Sequence, residues 1–80
     1  MTDRQARIRT LVKQLSLVDG AEPELGQNLF ESGVLDSFGL PDLVAALEKE
    51  FSVRVPDSEW LPATFSSVEA IDRYLARRSA

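Results

Sequence analysis

Three apolar series at helical spacing, with no such pattern between the first and the second, decide most of what this chain can fold into. Ile8, Leu11, Val12, Leu15 and Val18 step by 3, 1, 3 and 3 and make one face of a helix. Leu40, Leu43, Val44, Leu47 and Phe51 repeat the device with steps of 3, 1, 3 and 4, and Val68, Ile71 and Leu75 supply a third inner face. Thr2 or Asp3 can cap the first helix, and Gly20 with Pro23 stops it. The second begins near Asp36-Ser37 with an irregular first turn, because Pro41 has no backbone donor and disfavours helical geometry at Leu40; a regular start at Pro41 is the preferred reading. Ser66-Ser67-Val68-Glu69 is a capping box for the third, with Phe65 placed to staple onto Ala70, and Arg73, Arg77 and Arg78 lie toward its end, where the dipole favours cations.

From Asp19 to Leu35 no period survives, and Gly20, Pro23, Gly26 and Gly33 mark a loop. So long a connection in a small domain is expected to be functional or anchored by its own side chains, here Leu25, Leu29, Phe30, Val34 and Leu35. Val53-Arg54-Val55-Pro56 reads as an extended link, after which Asp57 can cap one or two turns through Trp60 and Leu61 before Pro62. The expectation is one all-α domain over residues 1–80: a four-helix bundle of three longer helices and one short helix, with a long loop between helices 1 and 2.

Composition removes several function classes. Without cysteine there is no disulfide, thiolate metal site or thiol nucleophile, and without histidine the Ser-His-Asp and Cys-His arrangements and the common zinc sites lose a member; no metal site is expected. An enzyme would have to draw its acid-base group from carboxylates, Lys13, Lys49 or Tyr74, which ranks that reading last. Residues 1–9 are charged and no apolar run approaches the roughly 18 residues of a membrane span, so no membrane insertion is expected and a cytoplasmic location follows by default. Charge is uneven along the chain. Residues 19–60 hold ten acids against Lys49 and Arg54, a net of −8, while the whole chain carries −4. No basic stripe could follow phosphates, which argues against nucleic acid. The acidic middle is either a solvated face or a docking surface for basic partners.

Ser37 is where chemistry is expected. A serine between a long loop and a helix N-terminus faces free backbone donors and the positive end of the dipole, so an anion attached there would be stabilised. An Asp36-Ser37 pair before a helix is, on its own, explained by simple capping and proves nothing more.

The surrounding residues add to this. The run Leu29-Phe30-Glu31-Ser32-Gly33-Val34-Leu35-Asp36-Ser37-Phe38, followed by Leu43-Val44-Ala45-Ala46-Leu47-Glu48-Lys49-Glu50-Phe51 and by Val53-Arg54-Val55-Pro56-Asp57, resembles the acyl carrier protein family over essentially the whole chain. The resemblance implies that Ser37 accepts a 4'-phosphopantetheine arm from coenzyme A through a phosphopantetheinyl transferase, and that the arm's thiol holds cargo as a thioester. It also implies an acyl- or aminoacyl-loading ligase and a downstream transferase or synthase as partners of a monomeric, non-enzymatic carrier. The Asp-Ser-Phe form differs from the Gly-Gly-(His or Asp)-Ser form of many peptide-synthetase carriers, and Leu61 to Val68 is longer than its fatty-acid-synthase counterpart. Both features are similar to D-alanyl carrier proteins and to free-standing carriers of biosynthetic clusters.

By the same resemblance Asp36 helps the transferase bind, with a cap as its alternative role, and Phe38 contacts partners beside the arm, with a core lid as its alternative. Asp42, Ala45, Ala46 and Lys49 form one stripe with Glu48 adjacent, matching the partner-facing side of the family's second helix. Lys49 stands where the family usually has an acid, and Pro41 where it has an aliphatic residue. All six aromatics, Phe30, Phe38, Phe51, Trp60, Phe65 and Tyr74, are expected on or beside inner faces, leaving little room for a long acyl chain and favouring short or polar cargo. The competing class is an unmodified helical protein-interaction adaptor, which coenzyme A and a transferase would leave unchanged.

Overall fold

The computed structural model of the chain describes residues 2–79. Among these residues the chain is all-helical without strands: α1 (Asp3–Leu15), α2 (Leu40–Phe51) and α3 (Val68–Ser79), with 3-10 turns at Ser37–Gly39 and Asp57–Glu59. α1 packs against both α2 and α3. Ile8 and Val12 of α1, Leu43, Val44 and Leu47 of α2, and Val68, Ile71 and Leu75 of α3 meet in one core together with Leu29 and Phe65. The Phe65 ring stands edge-on to Tyr74, centroids 5.3 Å apart, an arrangement that suits the quadrupoles of both rings.

Thr2 caps α1 as expected, through a reciprocal pair: its hydroxyl accepts the Gln5 N–H at 3.1 Å while the Gln5 side chain accepts the Thr2 N–H at 3.0 Å. The helix then ends one turn earlier than its apolar spacing suggests. Ser16 is extended, and its hydroxyl both accepts the Val18 N–H at 3.0 Å and donates to the Val18 carbonyl at 2.9 Å. This local capture by a serine competes with helix continuation and puts Leu17 and Val18 on the surface, so Val18 is not part of the inner face.

Residues 16–36 contain turns and bends but no helix, and their own side chains anchor them. Leu29, Val34 and Leu35 are buried, with Leu25 and Phe30 packed against the core. The Leu29 N–H donates to the Ser66 carbonyl at 2.7 Å, and the Glu69 N–H to the Leu25 carbonyl at 2.9 Å, so the loop is tied to the start of α3. That start is one residue later than the expected capping box. Ser67 is the cap, its hydroxyl accepting the Ala70 N–H at 3.0 Å, and Glu69 pairs forward with Arg73 at 2.7 Å rather than reaching back.

The expected short helix after Val55 is a single 3-10 turn. Pro56, which offers no side-chain acceptor, occupies the capping position, and Asp57 lies inside the turn instead of capping it. Side chains fasten this segment: Trp60 Nε1 donates to the Val55 carbonyl at 3.0 Å, and the Tyr74 hydroxyl donates to Glu59 at 2.9 Å. Burial first, then this bond to an acid, pushes the Tyr74 phenol above its ordinary pKa.

The bases of α1 are used within the fold. Arg4 pairs with Asp72, Arg7 pairs with Glu50 at 2.7 Å and lies over the Phe51 ring, and Lys13 and Arg9 share Glu22. The Lys13 hydrogen bond holds the Glu22 carboxyl below its usual range. Exposed pairs of this kind are screened by solvent, so they orient α1 more than they stabilise it. No helix among the described residues is long and apolar enough to cross a membrane, and no group of three or more Asp, Glu, His or Cys there could hold a metal.

Candidate functional site

Buried Leu35 fixes the point from which the chain leaves the loop and turns into α2. Asp36 is extended, with φ −121° and ψ 173°, and its Oδ1 accepts the Gly39 N–H at 2.9 Å. The turn that follows closes with the Leu40 N–H on the Ser37 carbonyl. Its last i→i+3 bond therefore falls immediately before Pro41, which has no N–H to give, and regular α-helix starts at Leu40 with proline in its first turn. The expected start at Pro41 is thus late by one residue.

This construction leaves Ser37 exposed at the head of the turn, its hydroxyl without a hydrogen bond among the described residues. The Ser37 and Phe38 N–H groups precede the first bond of the turn and have no helical acceptor. Asp36 is committed to Gly39 and does not bond to the serine hydroxyl, so no base among the described residues is placed on Ser37. The arrangement presents an exposed hydroxyl and does not activate it.

Around Ser37 the expected partner residues separate into two groups. Phe38 is 90 % exposed, which removes the core-lid alternative and the expectation that all six aromatics face inward. Phe65 and Tyr74 are buried, while Phe30, Phe51 and Trp60 pack half-buried against the core. Asp42, Ala45 and Lys49 are exposed along one side of α2, with Ala46 half-buried beside them. Glu48 is turned elsewhere: its carboxylate accepts the Val55 N–H at 2.8 Å and pins the return segment to α2. Reasoning from the sequence missed Leu17 and Val18, exposed beside the loop that leads to Ser37; the available signal was Ser16, a residue able to bond its own backbone two positions on.

Comparison with known proteins gives this geometry its context. The model of the family described as "Phosphopantetheine attachment site" matches residues 6–75. The chain is 36% identical over 58 residues to the D-alanyl carrier proteins of Streptococcus sanguinis (strain SK36) and Streptococcus suis (strain 05ZYH33), covering 72% of this chain and 72% of each relative. The match takes in both the loop and the helices that frame Ser37, and the chain belongs to the phosphopantetheine-binding carrier proteins, non-enzymatic carriers whose prosthetic group is a covalently attached 4'-phosphopantetheine.

Proposed function

We propose that Ser37 is the residue modified by a phosphopantetheinyl transferase with coenzyme A, and that the chain carries a short aminoacyl or small acyl group between a loading ligase and a downstream transferase or synthase. The observation that carries this reading is the Ser37 hydroxyl, exposed and free of hydrogen bonds among the described residues, at the head of a turn that runs straight into α2. When attached, the arm supplies a terminal thiol for thioester cargo, which suits a chain with no cysteine. The Ser37 and Phe38 N–H groups and the N-terminal end of α2 favour an anion on the serine oxygen. Asp36 keeps the turn closed, and since it is engaged with Gly39 the base that removes the serine proton belongs to the transferase.

An aminoacyl cargo is supported by the relatives, which are named D-alanyl carrier proteins, and by the bulk of the side chains that fill the core. We read the Asp57–Glu59 turn as the reduced short element of a four-helix bundle. Phe38, Asp42 and Ala45 are read as partner contacts, with Lys49 ending the same stripe. Intact-mass measurement after incubation with a transferase and coenzyme A tests the central claim. Wild type should gain one phosphopantetheinyl group and Ser37→Ala none. An unmodified wild type returns the adaptor reading, and a modified variant moves the site elsewhere.

A further inference from the structure

Leu17 is 64 % and Val18 48 % exposed, although the apolar spacing of α1 would have carried its inner face on to Val18. Their exposure is enforced: the Ser16 hydroxyl holds both backbone polar groups of Val18, and the Leu17 N–H donates to the Val34 carbonyl at 2.9 Å. That last bond joins the segment to the strip of chain that ends at Ser37. With Val34 three residues before Ser37, the Leu17 backbone lies within about 17 Å of the serine. A protein that covers Ser37 with an ordinary footprint of about 800 Å², some 30 Å across, can reach it.

We propose that Leu17 and Val18 form a second apolar contact for the phosphopantetheinyl transferase, on the loop side of Ser37, complementing Phe38 on the α2 side. The inference rests on the reading of Ser37 as the modified serine. Charge selects the occupant. Asp19 follows Val18 directly, and Asp19, Glu31 and Asp42 are exposed and make no ion pair among the described residues. The surface that fits is therefore apolar and flanked by bases, because its own apolar spots are flanked by acids. A second copy of this chain would set acid against acid around the same residues, and with a net charge of −4 it is the poorer match.

The test is transferase kinetics on Leu17→Gln/Val18→Thr, substitutions at exposed positions that keep the backbone bonds of Ser16, Leu17 and Val18. With a purified phosphopantetheinyl transferase and coenzyme A, kcat/KM for the carrier should fall about tenfold, with KM carrying the change and kcat within about twofold of wild type. Phe38→Ser serves as the comparison on the α2 side and should show the same KM-dominated loss. An unchanged thermal midpoint shows that the fold is intact. A double variant within about twofold of wild type in kcat/KM, while Phe38→Ser is slowed, overturns the proposal. So does light scattering that finds a wild-type dimer becoming a monomer in the double variant. A wild type that the transferase does not modify at all overturns the Ser37 reading and this inference with it.

Discussion

Asp42 and Glu48 carry the same charge on the same helix, and the fold uses them for different purposes. Asp42 is exposed near Ser37 and makes no ion pair among the described residues, whereas the Glu48 carboxylate accepts the Val55 N–H at 2.8 Å. A bond between a charged acceptor and a part-buried N–H contributes about 1.5–3 kcal/mol, and deleting the acceptor leaves the donor unsatisfied. Glu48→Ala should therefore lower stability by about 1.5–3 kcal/mol in a denaturant titration while leaving the rate of transferase modification within about twofold. Asp42→Lys should do the reverse, slowing modification about tenfold at low salt and recovering part of it at high salt, because exposed charges are screened beyond about 10 Å at 0.1 M. Equal slowing by both variants would place Glu48 back on the docking face. The sequence shows two acids on an amphipathic helix; that one of them reaches across to the return segment depends on where residues 52–55 pass, which no local spacing encodes. For Phe38 the sequence left a partner contact and a core lid both open for a similar reason, since whether an aromatic beside an inner face turns in or out depends on the path of the turn.

At the scale of elements, apolar spacing located all three helices, because a buried stripe is written into the residues that form it. Their ends were less legible, since several polar residues compete for each cap. α1 stops at Leu15 because Ser16 bonds the backbone of Val18, while the apolar spacing itself runs on to Val18. Either serine of Ser66-Ser67 could have capped α3. The backbone geometry chose Ser67, leaving Ser66 to offer its carbonyl to Leu29. The two serines are separable by experiment. Ser67→Ala should cost about 1 kcal/mol, the usual loss of an N-cap, which in a domain of this size lowers the thermal midpoint by about 4–8 °C. Ser66→Ala keeps the carbonyl that Leu29 uses and should move the midpoint by less than half as much. A larger loss at Ser66 would restore the capping box with Glu69 and displace the start of α3.

At the scale of the whole molecule, the cargo must be reconciled with a core that three helices and a long loop have already filled. Ile8 and Val12 of α1, Leu43 and Leu47 of α2, Ile71 and Leu75 of α3, and Leu29 and Phe65 from the connecting segments are all fully buried. Bringing an octanoyl chain inside would bury six methylenes, a gain of about 5 kcal/mol at 0.8 kcal/mol each. Opening about 160 Å³ for them would cost about 4 kcal/mol, and forcing neighbours from their rotamers adds about 1–3 kcal/mol. The terms nearly cancel and leave no drive to open the bundle, whereas an alanyl group asks for no space at all. An open groove of about 200 Å³ does exist, lined by Arg7, Thr10, Leu11, Gln14 and Glu50. It lies by the C-terminal end of α2, about 20 Å along the helix from Ser37, and the Arg7–Glu50 pair forms part of its wall. Amide chemical shifts of the protein carrying the arm, loaded in turn with alanyl and octanoyl groups, distinguish these cases. Both loads should perturb Ser37, Phe38 and the first turn of α2 and leave Leu47, Phe51 and Ile71 unmoved. Octanoyl shifts at Leu47 and Ile71 would mean that the core opens to admit the chain, and shifts confined to Arg7 and Leu11 would mean that the groove holds it; either result defeats the inference that cargo stays outside on the arm.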